Sequence, residues 1–207
     1  MMPMTRLLTL RTFVRWPVLL SLLVATVLLG ACSPPPPFNA TEVTDLAYGK
    51  GLGIPDTDGK IRRIDDFAGQ VTLVFFGFTQ CPDVCPTTLM RLRQARDALG
   101  EDAAKVQILL VSVDPERDTP ERLGAYVKNF DPSFIGLRPE PAELEKVVKA
   151  FHAIAIKVPT TGEDYTIDHS ATIYIYDRKN RLRLIAQPSL AIEQLSADLR
   201  RLAQERP

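Results

Sequence analysis

Two apolar runs without alternation dominate the middle of the chain: Val71-Thr-Leu-Val-Phe-Phe-Gly-Phe78 and residues 108–113. Runs of this kind are expected of strands covered on both faces. Between and beyond them apolar positions recur at helical spacing. Leu89, Leu92, Ala95 and Leu99 share one face of a helix over 86–99, with Gly100 placed to end it. Thr119-Pro120-Glu121 is a helix start, with Thr as N-cap and Pro in the first turn, and that helix turns Leu123, Tyr126 and Val127 inward. Another helix begins near Pro141 and carries Leu144, Val147, Val148 and Phe151. Residues 52–56 and 60–64 flank Thr57-Asp58-Gly59 and predict a hairpin, as do 172–176 and 181–185 around Asp177-Arg-Lys-Asn180. A last helix spans about 190–202. Strands alternating with helices, followed by a hairpin and a helix, predict an α/β protein with a mixed sheet.

The N-terminus is patterned differently. Residues 1–31 hold Arg6, Arg11 and Arg15 and no acid, and the apolar stretch 16–29 leads into Leu29-Gly30-Ala31-Cys32. A basic start, an apolar run and small residues are expected of an export signal. Leu-Gly-Ala-Cys resembles the bacterial lipobox, in which the cysteine is lipidated and becomes the mature N-terminus. The alternative is an uncleaved anchor, but a run of about 14 apolar residues falls short of the ~20 that span a bilayer. Either arrangement holds the remainder at a membrane face outside the cytoplasm. Residues 32–45, with four consecutive prolines after Ser33, are expected as an extended linker, and residues 46–207 as one domain. Setting the three arginines aside leaves 22 basic against 25 acidic side chains. That balance of about −3 argues against a nucleic-acid surface.

The chemistry sits where the first run ends, at Cys81-Pro-Asp-Val-Cys85-Pro. Two cysteines between a core strand and a helix can form a working dithiol or clamp a soft metal. A helix N-terminus is expected to lower a thiol pKa. With Cys32 lipidated, these are the only free thiols, and a loop so short gains little as a structural staple. Of the two histidines, His152 closes a helical pattern and reads as a surface residue. His169 precedes the strand 172–176. Asp83, inside the cysteine loop, stays open as a further ligand. Phe75, Phe76 and Phe78 read first as core, with Phe78 near enough to the cysteines to shield a metal.

The strand–cysteine loop–helix order resembles the thioredoxin fold, although thioredoxin-type enzymes space their cysteines C-x-x-C. The string from Phe75 to Thr87, together with Val111-Ser-Val-Asp-Pro-Glu-Arg-Asp-Thr-Pro120 and Ile167-Asp-His-Ser-Ala171, resembles the Sco/SenC family of copper chaperones for cytochrome c oxidase assembly. Gly51-Leu52-Gly53 departs from the family, which commonly has an aromatic residue there. The resemblance implies a thioredoxin-like fold and one copper ion per chain held by Cys81, Cys85 and His169. It also implies that Asp114 supports the site by hydrogen bonding, the plainer reading being a carboxylate that caps its own loop. Asp118 is expected to help cap the following helix. The implied function is delivery of copper to the binuclear copper centre of a respiratory cytochrome c oxidase. Implied partners are the oxidase's copper-bearing subunit, other copper carriers or thiol reductants, and the membrane through a lipid anchor on the periplasmic side. Two alternatives use the same dithiol: a thiol–disulfide reductase acting on the oxidase cysteines, and a redox or copper sensor. Thiolates and imidazole favour copper, with zinc as the competitor where a fourth ligand exists.

Overall fold

The computed structural model describes residues 36–206 apart from Asp45 and Glu163. The expected export signal and Cys32 lie outside the described residues. Among these, no helix is long and apolar enough to cross a membrane.

Both uninterrupted apolar runs form central strands, β4 (Val71–Gly77) and β5 (Val106–Ser112), paired in parallel. Every residue of β4 is buried. On one side of β5 lies β6 (Ile135–Leu137), also parallel. On the other side of β4 the hairpin β9 (Ile173–Tyr176) and β10 (Leu182–Ala186) runs antiparallel. β1 (Thr41–Glu42) completes the order β1-β10-β9-β4-β5-β6. Helices α1 (Val84–Asp97) and α4 (Ile192–Gln204) pack against each other. Alternate residues of β4 serve opposite layers. Gly77 faces Cys85 of α1, whereas Phe76 meets Phe151 and Tyr174 edge-on. Helices α2 (Pro120–Phe130) and α3 (Leu144–Ala150) follow β5 and β6. This mixed sheet with flanking helices is a thioredoxin-like fold.

Three expectations change. The compact unit starts at Phe38, inside the stretch expected as linker. Asp198 accepts hydrogen bonds from the backbone N–H groups of Asn39 and Ala40, and Thr41 pairs with Ile185. Residues 39–41, which follow the prolines directly, are thus part of the folded unit. The expected hairpin at 52–64 exists only as β2 (Ile54–Pro55) and β3 (Ile61–Arg62). Asp56 carries much of its turn, accepting from the N–H groups of Asp58 and Lys60 and from Arg62 Nε. Finally, β7 (Ala155–Pro159) and β8 (Tyr165–His169) form a separate antiparallel hairpin that the apolar pattern did not reveal.

Candidate metal centre

Cys81, Cys85 and His169 come together at the end of β4, with their donor atoms all within 4.8 Å of one another. Cys81 lies in the loop and is half-buried; Cys85, in the first turn of α1, is fully buried. His169, expected just before the strand at 172–176, ends a strand of its own, β8. Its Nε2 lies 3.5 Å from Cys85 Sγ. Its Nδ1 lies 3.1 Å from the carbonyl oxygen of Ser170. A carbonyl only accepts, so Nδ1 carries the proton and Nε2 presents its lone pair to the sulfurs. The edges of Phe78 and Phe75 close over the imidazole, at 5.8 and 6.3 Å between ring centroids.

Local geometry explains the convergence. The N–H of Cys85 donates to Cys81 Sγ at 3.4 Å, so the turn itself brings the sulfurs together. Gly77 makes room for them, because a β-carbon there would approach Cys85 Sγ to 2.9 Å. The loop is pinned from below by Asp118, which is fully buried. Its carboxylate accepts from Thr79 N–H, from Thr79 Oγ1 at 2.6 Å and from Ser112 Oγ at 2.6 Å. Thr119 caps α2 as expected, its Oγ1 accepting from Arg122 N–H, while the Asp118 carboxylate serves the cysteine loop rather than that cap. Asp118, Thr79, Ser112 and Gly77 carry no signal in local pattern, since their roles depend on contacts across the fold. Motif alone places Asp118 and Ser112 among matched residues without saying what they do.

Burial reverses one electrostatic expectation. Desolvation, and next the Cys81 sulfur, push the Cys85 thiol far above the usual thiol range, so proximity to the helix N-terminus does not make it a free thiolate. Burial likewise pulls the His169 imidazole below its usual 6.5, against the opposing bond to Ser170. Asp118 is raised by burial despite the hydroxyls that bond it. In this setting it is the arrival of a cation that displaces the thiol proton.

The other candidates fall outside the donor group. Asp83 is exposed, and its carboxylate accepts from Thr87 Oγ1. Among the described residues no further histidine, cysteine or carboxylate joins the three. Asp114 is buried and bonds Tyr165 Oη and Arg117 Nε, touching neither sulfur nor imidazole. His152 is exposed beyond α3 and stacks on Tyr48. Three ligands bound at about 2.0–2.3 Å around a single ion lie about 3.5–4.0 Å apart. The three donors, at most 4.8 Å apart, would fit one ion after closing on one another by about 1 Å. Two sulfurs and one nitrogen without a fourth ligand suit Cu(I) better than a closed zinc site.

The SCO1/SenC family model matches residues 46–204, which include all three donors. The chain belongs to the SCO1/SenC family. An SCO2-like protein of Rickettsia prowazekii is 34% identical over 174 residues, covering 79% of this chain and 84% of the relative. The solved structure of Bradyrhizobium japonicum ScoI with copper bound is 43% identical, with a TM-score of 0.69, and covers 75% of this chain and 99% of that one. Arabidopsis thaliana ScoI, also solved with copper bound, is 31% identical with a TM-score of 0.70, covering 75% and 97%.

Proposed function

We propose that this SCO1/SenC protein takes up one copper ion per chain as cargo at Cys81, Cys85 and His169. It passes the ion to the binuclear copper centre of a respiratory cytochrome c oxidase. A lipid on Cys32 holds it at the periplasmic face of a bacterial envelope membrane. Copper in two relatives of this fold supports the cargo, the lipobox-like Leu29-Gly-Ala-Cys32 supports the anchor, and the family resemblance supports the oxidase as destination. Other copper carriers or thiol reductants would load and reduce the site.

One observation carries the reading: the imidazole turned by Ser170 so that Nε2 faces Cys85 Sγ. A simple thiol exchanger has no use for that lone pair. The three side chains supply two thiolates and one neutral nitrogen, Phe78 and Phe75 limit water at the imidazole, and half-exposed Cys81 leaves a side open to a partner. The reductase reading draws on a different observation, the N–H of Cys85 donating to accessible Cys81 Sγ, which favours attack by Cys81 and resolution by Cys85.

His169→Ala separates them. Cys81 and Cys85 should still cycle between dithiol and disulfide, while Cu(I) affinity falls by more than the about 10–100-fold that the loss of a partner behind a ligand costs. In cells lacking the native protein, oxidase assembly should fail at limiting copper and recover with added copper. Full oxidase activity from His169→Ala at low copper would replace the chaperone by the reductase.

A further inference from the structure

β7 and β8 pair only with each other, so the strand ending in His169 takes no ladder hydrogen bonds from the six-stranded sheet. Side chains hold it beside the cysteine loop instead. Asp114, in the segment after β5, is the hub. Its Oδ1 accepts from Tyr165 Oη at 2.8 Å, and its Oδ2 accepts from Arg117 Nε. Arg117 Nη1 donates to the Tyr165 carbonyl at 2.8 Å and to Asp164 Oδ1 at 2.9 Å. The guanidinium also lies over the Tyr165 ring, 3.7 Å from its centroid. Asp164 is exposed, so its ion pair adds little. The Asp114 carboxylate has no solvent exposure, so losing Arg117 strands a buried charge and losing the Tyr165 hydroxyl leaves Oδ1 without that donor.

Tyr165 opens β8 and His169 closes it, paired with Pro159 and Ala155 of β7. A short paired strand transmits the position of one end to the other. Arg117 has a second line to the centre, since its guanidinium lies 6.0 Å from the ring of Phe78, whose edge meets His169.

We propose that Arg117 and Tyr165 are positioning residues for the metal centre. Sharing Asp114 as acceptor, they lock the β7–β8 hairpin to the core and thereby set His169 Nε2 within reach of the sulfurs. Neither touches a donor atom; both act through β8 and Phe78. The geometry stands by itself, while its consequence for copper rests on the function proposed above.

Tyr165→Phe removes only the hydroxyl and keeps the ring under Arg117; Arg117→Lys keeps the charge and loses the fork. Each is made in the full chain and read in two ways. In metal-free protein, amide hydrogen exchange over residues 155–169 should quicken at least tenfold while β4 and β5 keep wild-type rates. In Cu(I)-loaded protein, affinity should drop about tenfold, with both sulfurs retained and the nitrogen contribution to X-ray absorption reduced. Hairpin exchange at wild-type rates overturns the lock. So does faster exchange with unchanged affinity and nitrogen signal, because His169 would then be set by something else. If the wild-type ion itself shows no nitrogen ligand, the copper reading of His169 fails, and the exchange rates still decide whether the lock exists.

Discussion

Gly77 and Cys85 are packed so closely that no methyl group fits between them. A β-carbon at position 77 would lie 2.9 Å from Cys85 Sγ and 3.1 Å from Leu110 Cδ1. Position 77 is the last residue of a fully buried strand, so neither the strand nor α1 can yield cheaply.

Gly77→Ala should therefore cost about 1–3 kcal/mol of stability, as overpacking does, and turn the Cys85 sulfur away from His169. Denaturant unfolding gives the first quantity and Cu(I) competition against a chelator the second. Wild-type copper affinity in a folded Gly77→Ala protein would show that the sulfur does not need this space.

Copper binding should strengthen with pH across neutrality. Burial holds the Cys85 thiol protonated there, so uptake must release at least its proton, and each proton released gives about tenfold in affinity per pH unit. His169 works in a separate window. Its pKa is lowered, so the imidazole stays neutral through 6.5 and competes with protons only below that value. Chelator competition between pH 6 and 8 tests this, and a flat profile would mean that the thiol is already ionised.

Asp118→Ala strands the N–H and hydroxyl of Thr79 and the hydroxyl of Ser112, for an expected loss of about 2–4 kcal/mol. Asp118→Asn should lose less and differ in pH dependence. The folded carboxyl has a raised pKa, so the native state binds more protons than the unfolded chain above pH 3.8. Wild-type stability attributable to this group should thus decline as pH rises from 3.8 through the folded pKa. The margin of wild type over Asp118→Asn should shrink along that path in denaturant titrations. A margin that grows would mean the carboxylate is stabilised in its charged form.

The cysteine loop and the two core strands were legible because their signals are local: uninterrupted apolar runs, cysteines at fixed spacing, and Pro120 behind Thr119. β7 was not. Ile154 and Ile156 are both more than half exposed, and Lys157 and Pro159 break any apolar alternation, so β7 has no face that reads as buried. The strand that carries His169 was hidden because it is five residues long and buries only Ile167, although the histidine itself stood out through Ile167-Asp-His-Ser-Ala171. Asp118 is structural as expected, but which segment it supports was hidden because its partners Thr79 and Ser112 lie outside the helix start. The thiol expectation failed for a related reason: a helix N-terminus is visible in one turn of sequence, whereas the burial that outweighs it is assembled by β4, α1 and Leu110 together.

The donors are divided unequally along the chain. Cys81 and Cys85 share one turn, and His169 arrives from 84 residues beyond Cys85. An unfolded chain therefore keeps a serviceable two-sulfur chelate and loses only the nitrogen. Ligands that also bind the unfolded state stabilise the native one by less than their full affinity. The rise in Tm on loading with Cu(I) should then be smaller than the affinity of the native state alone would give. It measures what folding adds to the chelate, namely the imidazole and the enclosure around it.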